Sequence, residues 1–573
     1  MAGHLATDPR TDAPVARHPA ESVGRAHGIA LAVVFSILAA TTVMSVLNAK
    51  LDSDEWQHLH VAWSWTKGEI PYRDVFDDHM PLFQAITAPL AEAVGERPSI
   101  LTLMRLATLP ILLLTLWATW AIGRRMLSPV MSLWAVAFLW ATPGFLKYML
   151  QYRPDGLWAA LCTFAVLVLV GGNEWKRGFV GGFMLGLAGC VSIKTPVVLM
   201  SLVAAAVLLP ALIPGLLRGR SIRHGAAFAG AFTVGIAVPF GVVAWPFMQR
   251  GLLRTMYYCV VEHNSIIGYG LMHPERYGIL ALVVAAGVVY ARGRIRRRGM
   301  PVSNRFVFVA LATVSLIVIL ASYALVPGQT KLALYPLAAI AFSGFVEFVT
   351  RRGRGVSAAN RGSIPPTLWL PLATCAVGIV AVSAGSQPWR DHNAGYRNFL
   401  AEVLLLTTPA DKVMDAKGET VFRDRAFFYA VDTGTITRLR KGLLEDNIPA
   451  RCIAARVCVA TIARSRFPRR AREFLDSEYI RAGFADVAGK LLTGSEGTVP
   501  FAIAVPADYA IVSENGSAAG ALDGSPYAGA RFLNAGRHTF EPSGGGGRYA
   551  VVWARAAEKG LSPFHPVPAD MDN

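Results

Sequence analysis

Asp52, Asp54, Glu55 and His58 lie within seven residues of one another in LDSDEWQHLHVAWSW, just after the first long apolar run of the chain. A carboxylate within hydrogen-bond reach of a hydroxyl can take its proton as a new bond forms. Asp54 is therefore a candidate general base, with Glu55 to orient it or the acceptor. If the stretch is helical, Asp54 and His58 share a face at i, i+4. The plain alternative is a set of solvated loop acids. Arg73, Asp74 and His79 follow in GEIPYRDVFDDHMP, where Gly68, Pro71 and Pro81 predict a structured loop. Trp56, Trp63 and Trp65 suit a helix lying in a membrane interface, and LFQAITAPLAEAVG reads as a second amphipathic piece.

The elements that must position these residues are apolar. Of 573 residues, 53% are hydrophobic and 16% charged, and the mean hydropathy is +0.42. Apolar runs long enough to cross a hydrocarbon core fall near 28–48, 99–121, 127–146, 155–171, 178–195, 197–215, 225–247, 277–291, 305–325, 332–350 and 366–385. The fold class expected is a polytopic α-helical membrane protein of about eleven transmembrane helices. The net charge of +17 is not a nucleic-acid footprint, because its placement follows topology. RR (124–125), KR (176–177), RGRSIR (218–223), RGRIRRR (292–298) and RRGR (351–354) fall on the side of the N-terminal tail with Arg10, Arg17 and Arg25. Positive charge stays inside, so the N-terminus is expected in the cytoplasm, and the first loop (49–98) and everything after 386 outside. The first apolar segment lacks a small-residue cleavage site and reads as a retained anchor.

Residues 1–27 are polar and expected to be a disordered cytoplasmic tail, 28–385 the membrane region, and 386–573 a soluble α/β or α+β domain outside the membrane. Within that domain KVMDA, RVCVATIA, FAIAVPADYAIV and RYAVVWARA read as strands, RRAREFLDSEYIRAGF as a helix, and RFLNAGRHTFEP as a hairpin that packs or binds carbohydrate. The glycines at 544–547 and DGSPYAGA (523–530) read as loops rather than phosphate cradles. Cys162, Cys190 and Cys375 fall in expected spans and Cys259 in an external loop. Cys452 and Cys458 lie where a disulfide is chemically allowed, or are two plain thiols. No internal repeat is visible, which counts against many transporter folds.

The motifs and their order resemble the GT-C superfamily of integral membrane glycosyltransferases, in the bacterial branch related to protein O-mannosyltransferases and lipid A aminoarabinose transferases. The matching features are the DE pair after the first span, G-x-x-P-Y-x-D, and H-x-P-L before a short apolar helix. Arg105 heads SILTLMRLATLPILLLTLWATWAIGRRML, and QYRPDGLWAA offers an R-x-D element through Arg153 and Asp155. SIKTPVVLM matches through Lys194 and Pro196, and PGQTKLALYPLAAI through Lys331 and Tyr335. The departures are His79-Met80-Pro81-Leu82 in place of H-P-P-L, and no threonine before Lys194.

The resemblance implies transfer of a sugar from a polyprenyl-phosphate donor to an envelope acceptor, lipid, polysaccharide or protein, on the outer face of the cytoplasmic (inner) membrane. The donor phosphate gains negative charge as it leaves, so fixed cations favour the transition state. Lys194, Arg153 and Lys331, with Tyr335, are candidates for that task, although each cation could simply snorkel. His58, Arg73, Asp74, His79, Asp155 and His263 are candidates to shape the acceptor site. Glu262, His263, His273, Glu275 and Arg276 belong to a loop that could cover it. No cofactor is demanded; a divalent metal ion is an open option, with Asp54, Asp155, His58 and His79 as oxygen and nitrogen ligands. Two alternatives stay open: a flippase for lipid-linked sugars, and a non-catalytic partner in envelope polysaccharide assembly.

Overall fold

The computed structural model describes residues 19–172, 174–213, 216, 221–265, 303–322, 327–353, 366–461, 463–493, 497–543 and 547–564. The chain opens with α1 (Pro19–Asn48), which starts ahead of the expected span, and α2 (Ser53–Thr66). There follow α3 (Leu82–Val94), α4 (Ile100–Gly123), α5 (Pro129–Trp140), α6 (Pro143–Met149), α7 (Pro154–Leu169) and α8 (Trp175–Val191). The next group is α9 (Thr195–Leu212), α10 (Ile222–Gln249) and α11 (Leu253–Tyr257), with a π-helical turn over Tyr258–Glu262. Beyond these come α12 (Asn304–Ser322), a 3-10 turn over Gly328–Lys331, α13 (Leu334–Gly353) and α14 (Pro366–Ser386).

Among the described residues, six helices are long and apolar enough to cross a membrane: most of α1, α4, α9, α10, α12 and most of α14. The run at 127–146 is not one straight helix. It bends by 68° between α5 and α6, where Pro143 at the first turn of α6 removes a backbone donor and starts a new helix. Counted as one span, the pair makes a seventh. The runs at 155–171 and 178–195 form α7 and α8, of 16 and 17 residues, and the apolar part of α13 is Leu334–Thr350. The run at 277–291 lies outside the described residues, as do His273, Glu275 and Arg276. Among the described residues, length and composition thus support six or seven spans, and the eleven expected are not confirmed.

With no hydrophobic effect between helices inside lipid, close packing has to hold them together, and small residues allow it. Gly178, Gly182 and Gly186 recur every four residues along one face of α8. A Cβ at Gly178 would lie 2.7 Å from the Phe228 carbonyl oxygen, and one at Gly186 would lie 2.5 Å from that of Ile236. One at Gly182 would collide with the Phe232 carbonyl, and Gly235 on α10 meets the Phe179 carbonyl in the same way. The two backbones are therefore packed against each other.

The root of the C-terminal domain is knitted to the end of α1. Asn48, at the end of α1, donates to the Pro388 carbonyl (2.8 Å) and accepts from the His392 amide (3.0 Å). The Asn393 amide group reaches the Ala49 carbonyl (3.0 Å), and its oxygen accepts from Leu51 N–H (3.1 Å). The end of α1 and the start of the tail therefore share a side, as the first loop and the C-terminal domain were expected to.

The domain contains α15 (Ala394–Leu406), α16 (Thr433–Arg440), α17 (Ile448–Ala454), α18 (Arg469–Glu478) and α19 (Ala554–Glu558) around two antiparallel sheets. The first sheet runs β1 (Val459–Ala460), β3 (Asp486–Leu492), β11 (Tyr549–Trp553), β5 (Ala507–Ser513), β6 (Gly516–Ser517), with β2 (Tyr479–Arg481) on β3 and β9 (Arg531–Leu533) on β5. The second runs β4 (Val499–Ile503), β10 (Gly536–Pro542), β7 (Gly520–Leu522), β8 (Ser525–Pro526). RFLNAGRHTFEP is therefore not a hairpin: β9 pairs with β5, while β10 pairs with β4 and β7 in the other sheet. The turn between them switches the chain from one sheet to the other. KVMDA makes isolated bridges rather than a strand, and RRAREFLDSEYIRAGF splits into α18 and β2. Cys452 and Cys458 are free thiols.

A Gly182→Leu substitution should wedge α8 from α10, at a cost of about 1–3 kcal/mol, and lower the thermal midpoint of the detergent-purified protein. Gly230, with nothing within 4 Å of a Cβ, is the control. An unchanged midpoint in Gly182→Leu would refute the close approach.

Candidate active site

The residues DSDE build the start of α2. Asp52 caps it, accepting from the Asp54 amide (3.0 Å), while Glu55 reaches back to the Asp52 amide (2.9 Å) in a capping box. Asp54 stands in the first turn, where the helix dipole favours a negative charge.

Glu55 is wholly buried. Its oxygens accept from Arg105 Nε (2.7 Å) and Nη2 (2.5 Å) and from the Tyr152 amide (2.8 Å), besides the cap. Arg105, on α4, also donates to the Ala49 and Lys50 carbonyls (2.7 and 3.1 Å). Every Glu55 contact is thus with the protein itself. It orients the turn that carries Asp54, and nothing of it is left to touch an acceptor.

Arg153 and Asp155 flank Pro154, the first residue of α7. Arg153 is only 4% exposed yet meets three carboxylates, Asp54 (2.7 Å), Asp52 (3.1 Å) and Asp155 (3.2 Å). Asp155 in turn takes Lys194 Nζ at 2.5 Å, which places the SIKTP break between α8 and α9 on the same side. Three of the expected site residues, Asp54, Arg153 and Lys194, are therefore joined through Asp155 into one network.

The third cation of the network comes from the C-terminal domain. Lys417 Nζ sits 2.5 Å from Asp54 Oδ1, across 363 residues of sequence. Its loop is held rigid by Asp415, which accepts from the Gly418 and Thr420 amides (3.0 Å each) and the Thr420 hydroxyl (2.6 Å). Gly418 needs φ +93°, and its Cα faces the His60 ring. Burial works to raise the proton affinity of Asp54, but Lys417 and Arg153 outweigh it and hold the carboxyl well below the usual carboxylate range. Asp54 is ionised and doubly paired, although about a quarter of its side chain still faces solvent.

A second cluster adjoins it. The His58 and His79 rings meet edge to face at 4.4 Å. Burial, with His79 and Arg153 nearby, pushes His58 well below its ordinary value, so it is neutral. For His79 burial acts downward too, but Asp78 (2.9 Å) and Asp77 (3.4 Å) raise it to about 10. Asp77, Asp78 and His79 are the described group able to hold a metal ion, their ligand atoms lying within 4.8 Å of one another. Asp54 and Asp155, expected as ligands with His79, are instead neutralised by Lys417, Arg153 and Lys194. Among the described residues Asp77 Oδ2 is buried without a hydrogen-bond partner, so the set has a spare donor atom.

The remaining expectations fall elsewhere. His263 ends the π-helical turn, buried against Phe76 and stacked on Tyr429, with Nε2 3.2 Å from Thr435 Oγ1 and 3.6 Å from Asp432. It clamps the 248–265 segment onto α16. Arg73 and Asp74 pair with each other at 2.7 Å on an exposed turn. Lys331 is exposed without an ion pair among the described residues, and Tyr335 packs on Phe145 and Gly144 of α6. The structure does not bring Lys331 and Tyr335 into contact with Arg153 and Lys194. Lys417 and Arg105 were missed as site residues. Lys417 has no local signal; Arg105 and the capping box could have been read from D-x-x-E and a lone arginine at a span's start.

No family model and no curated protein matches the sequence. Among solved structures, ArnT from Cupriavidus metallidurans bound to undecaprenyl phosphate is similar at 12% identity and TM-score 0.49, over 72% of this chain and 88% of that one. The Archaeoglobus fulgidus oligosaccharyltransferase tethered to an acceptor peptide is similar at 11% identity and TM-score 0.42, over 78% of this chain and 72% of that one.

Glu55→Ala strands the buried Arg105 charge and should cost about 3–5 kcal/mol, read as a lower thermal midpoint in detergent; an unchanged midpoint contradicts the pairing. His79 gains proton affinity on folding, so its contribution is complete below its ordinary 6.5 and lost as pH rises through about 10. The midpoint should fall across that window, and His79→Gln should flatten the fall. An equal fall in both proteins would remove His79 as its cause.

Proposed function

We propose that this chain is a glycosyltransferase of the GT-C type, acting on the outer face of the cytoplasmic membrane with a polyprenyl-phosphate-linked sugar as donor and an envelope molecule as acceptor. The observation that carries the reading is Asp54, an ionised carboxylate at a helix start beside the first span, ringed by Arg153 and Lys417 with Lys194 one carboxylate further on. A base and the cations for a leaving phosphate stand together where a lipid-borne donor would present its head group.

In the step proposed, an acceptor hydroxyl oxygen attacks the anomeric carbon of the donor sugar. Its proton passes to Asp54, while the bond from that carbon to the phosphate oxygen breaks and its electron pair leaves with the lipid phosphate. Arg153, Lys194 and Lys417 offset the charge that grows there. While Lys417 and Arg153 hold Asp54, it is a weak base. Entry of a donor phosphate draws Lys417 away, frees Oδ1 and restores the proton affinity of the carboxylate just where the acceptor arrives. The C-terminal domain is thus part of the site rather than an appendage. A divalent metal, when bound, would add positive charge, and Asp77, Asp78 and His79 would hold it.

Membranes carrying each variant, a panel of radiolabelled polyprenyl-phosphate sugars and a crude envelope fraction test the reading. Asp54→Asn should lose about 10²–10⁴-fold of transfer, and Lys417→Met about 10²–10³-fold, with Lys417→Arg largely retaining it. Undiminished transfer by Asp54→Asn at equal expression rejects it as the base. No transfer by the wild type from any donor would favour the flippase or assembly-partner readings.

A further inference from the structure

A cavity of about 670 Å³ opens in the C-terminal domain, between the segment at 407–412, α17, β5, β9 and the end of β11. None of the groups described so far uses it. Lys412, Arg451, Arg456 and Arg555 line it, with Asp411 and Asp508 as its acids. Arg555 is paired with Asp411 at 3.0 Å. Lys412, Arg451 and Arg456 have no ion pair among the described residues, which leaves three cations against Asp508. Arg456 lies over the ring of Phe532, 5.7 Å from its centre, and Phe532 is 43% exposed. Arg456 takes φ +50° as the left-handed residue that ends α17, where the Val457 amide donates back to the Cys452 carbonyl (2.9 Å).

A second cavity of about 290 Å³ shares Lys412, Ala426 and Arg451 with the first and extends to Asp74 of the first loop. Its Arg425 is paired with Asp415 and its Asp74 with Arg73, leaving Glu445 as its acid without an ion pair among the described residues. Together the two form one groove with Lys412 and Arg451 at its waist. Lys412, at the waist, is five residues from Lys417 in one segment, at most about 18 Å of extended backbone, and Lys417 reaches Asp54.

We propose that this groove holds an acidic oligosaccharide, a glycan bearing carboxylate or phosphate groups, as the acceptor whose free end reaches Asp54. Guanidinium forks match such oxyanions two bonds at a time. The exposed face of Phe532 offers an apolar platform for a sugar ring, and Asp508 and Glu445 can accept from its hydroxyls. Two joined cavities suit a chain of sugars better than a single one. The inference rests on the transferase reading for the word acceptor, but not for binding itself.

The test uses the full chain in nanodiscs of phosphatidylcholine, which present no anionic lipid. Calorimetric titration compares oligogalacturonate, a phosphorylated oligosaccharide and a neutral malto-oligosaccharide of equal length. At least one acidic glycan should bind, more weakly at high salt, and Arg451→Ala/Arg456→Ala should weaken it at least tenfold, while the neutral chain does not bind. Equal binding of the neutral chain, no binding of either acidic probe, or binding that ignores the substitutions would overturn the proposal. Binding is read here without turnover, which separates failure of the groove from failure of the base. In a transfer assay the double variant should raise the acceptor KM and leave the donor KM unchanged; an altered donor KM alone would remove the acceptor role.

Discussion

Arg153 is buried with its charge, and a buried guanidinium is tolerated only when carboxylates surround it. It draws Asp52 and Asp54 of α2 to the start of α7, and through Asp155 it fixes Lys194 at the start of α9. The Glu55–Arg105 pair does the same for α4 and the α1–α2 junction. These two arginines convert a polar stretch between spans into a fixed floor of helix ends. The histidine cluster, the first loop and the docked domain are all arranged over that floor.

The C-terminal domain meets this floor at two levels. The Asn48 and Asn393 bonds anchor its root to the end of α1, and His263 with Thr435 clamps the 248–265 segment to its side. From that frame the Asp415–Thr420 loop lowers Lys417 onto Asp54. The loop carries a glycine at positive φ and is followed by Val421 at φ +52°, whose carbonyl faces His60 Nδ1 at 2.8 Å. Strained backbone at such a place holds one side chain in one direction.

Electrostatics give the arrangement its chemical logic. A carboxylate held by two cations keeps its charge but gives up basicity, while burial acts in the opposite direction. An anion entering beside Lys417 competes with Asp54 for that one ammonium group.

Run length and composition determined by themselves that the chain is built on membrane-spanning helices, and charge placement predicted that the first loop and the tail share a side. Asp54, Arg153 and Lys194 were also legible, because each stands at the end of an apolar run where a charge needs a reason. Tertiary structure alone decided their pairing. It also decided the bend at Pro143, the assignment of β9 and β10 to different sheets, and the separation of Lys331 and Tyr335 from the Asp54 network. Lys417 is the plainest case. Periodicity reports which face of an element is buried, but an ion pair across 363 residues leaves no local trace, since a lysine in a polar loop reads the same whether it meets water or a buried carboxylate.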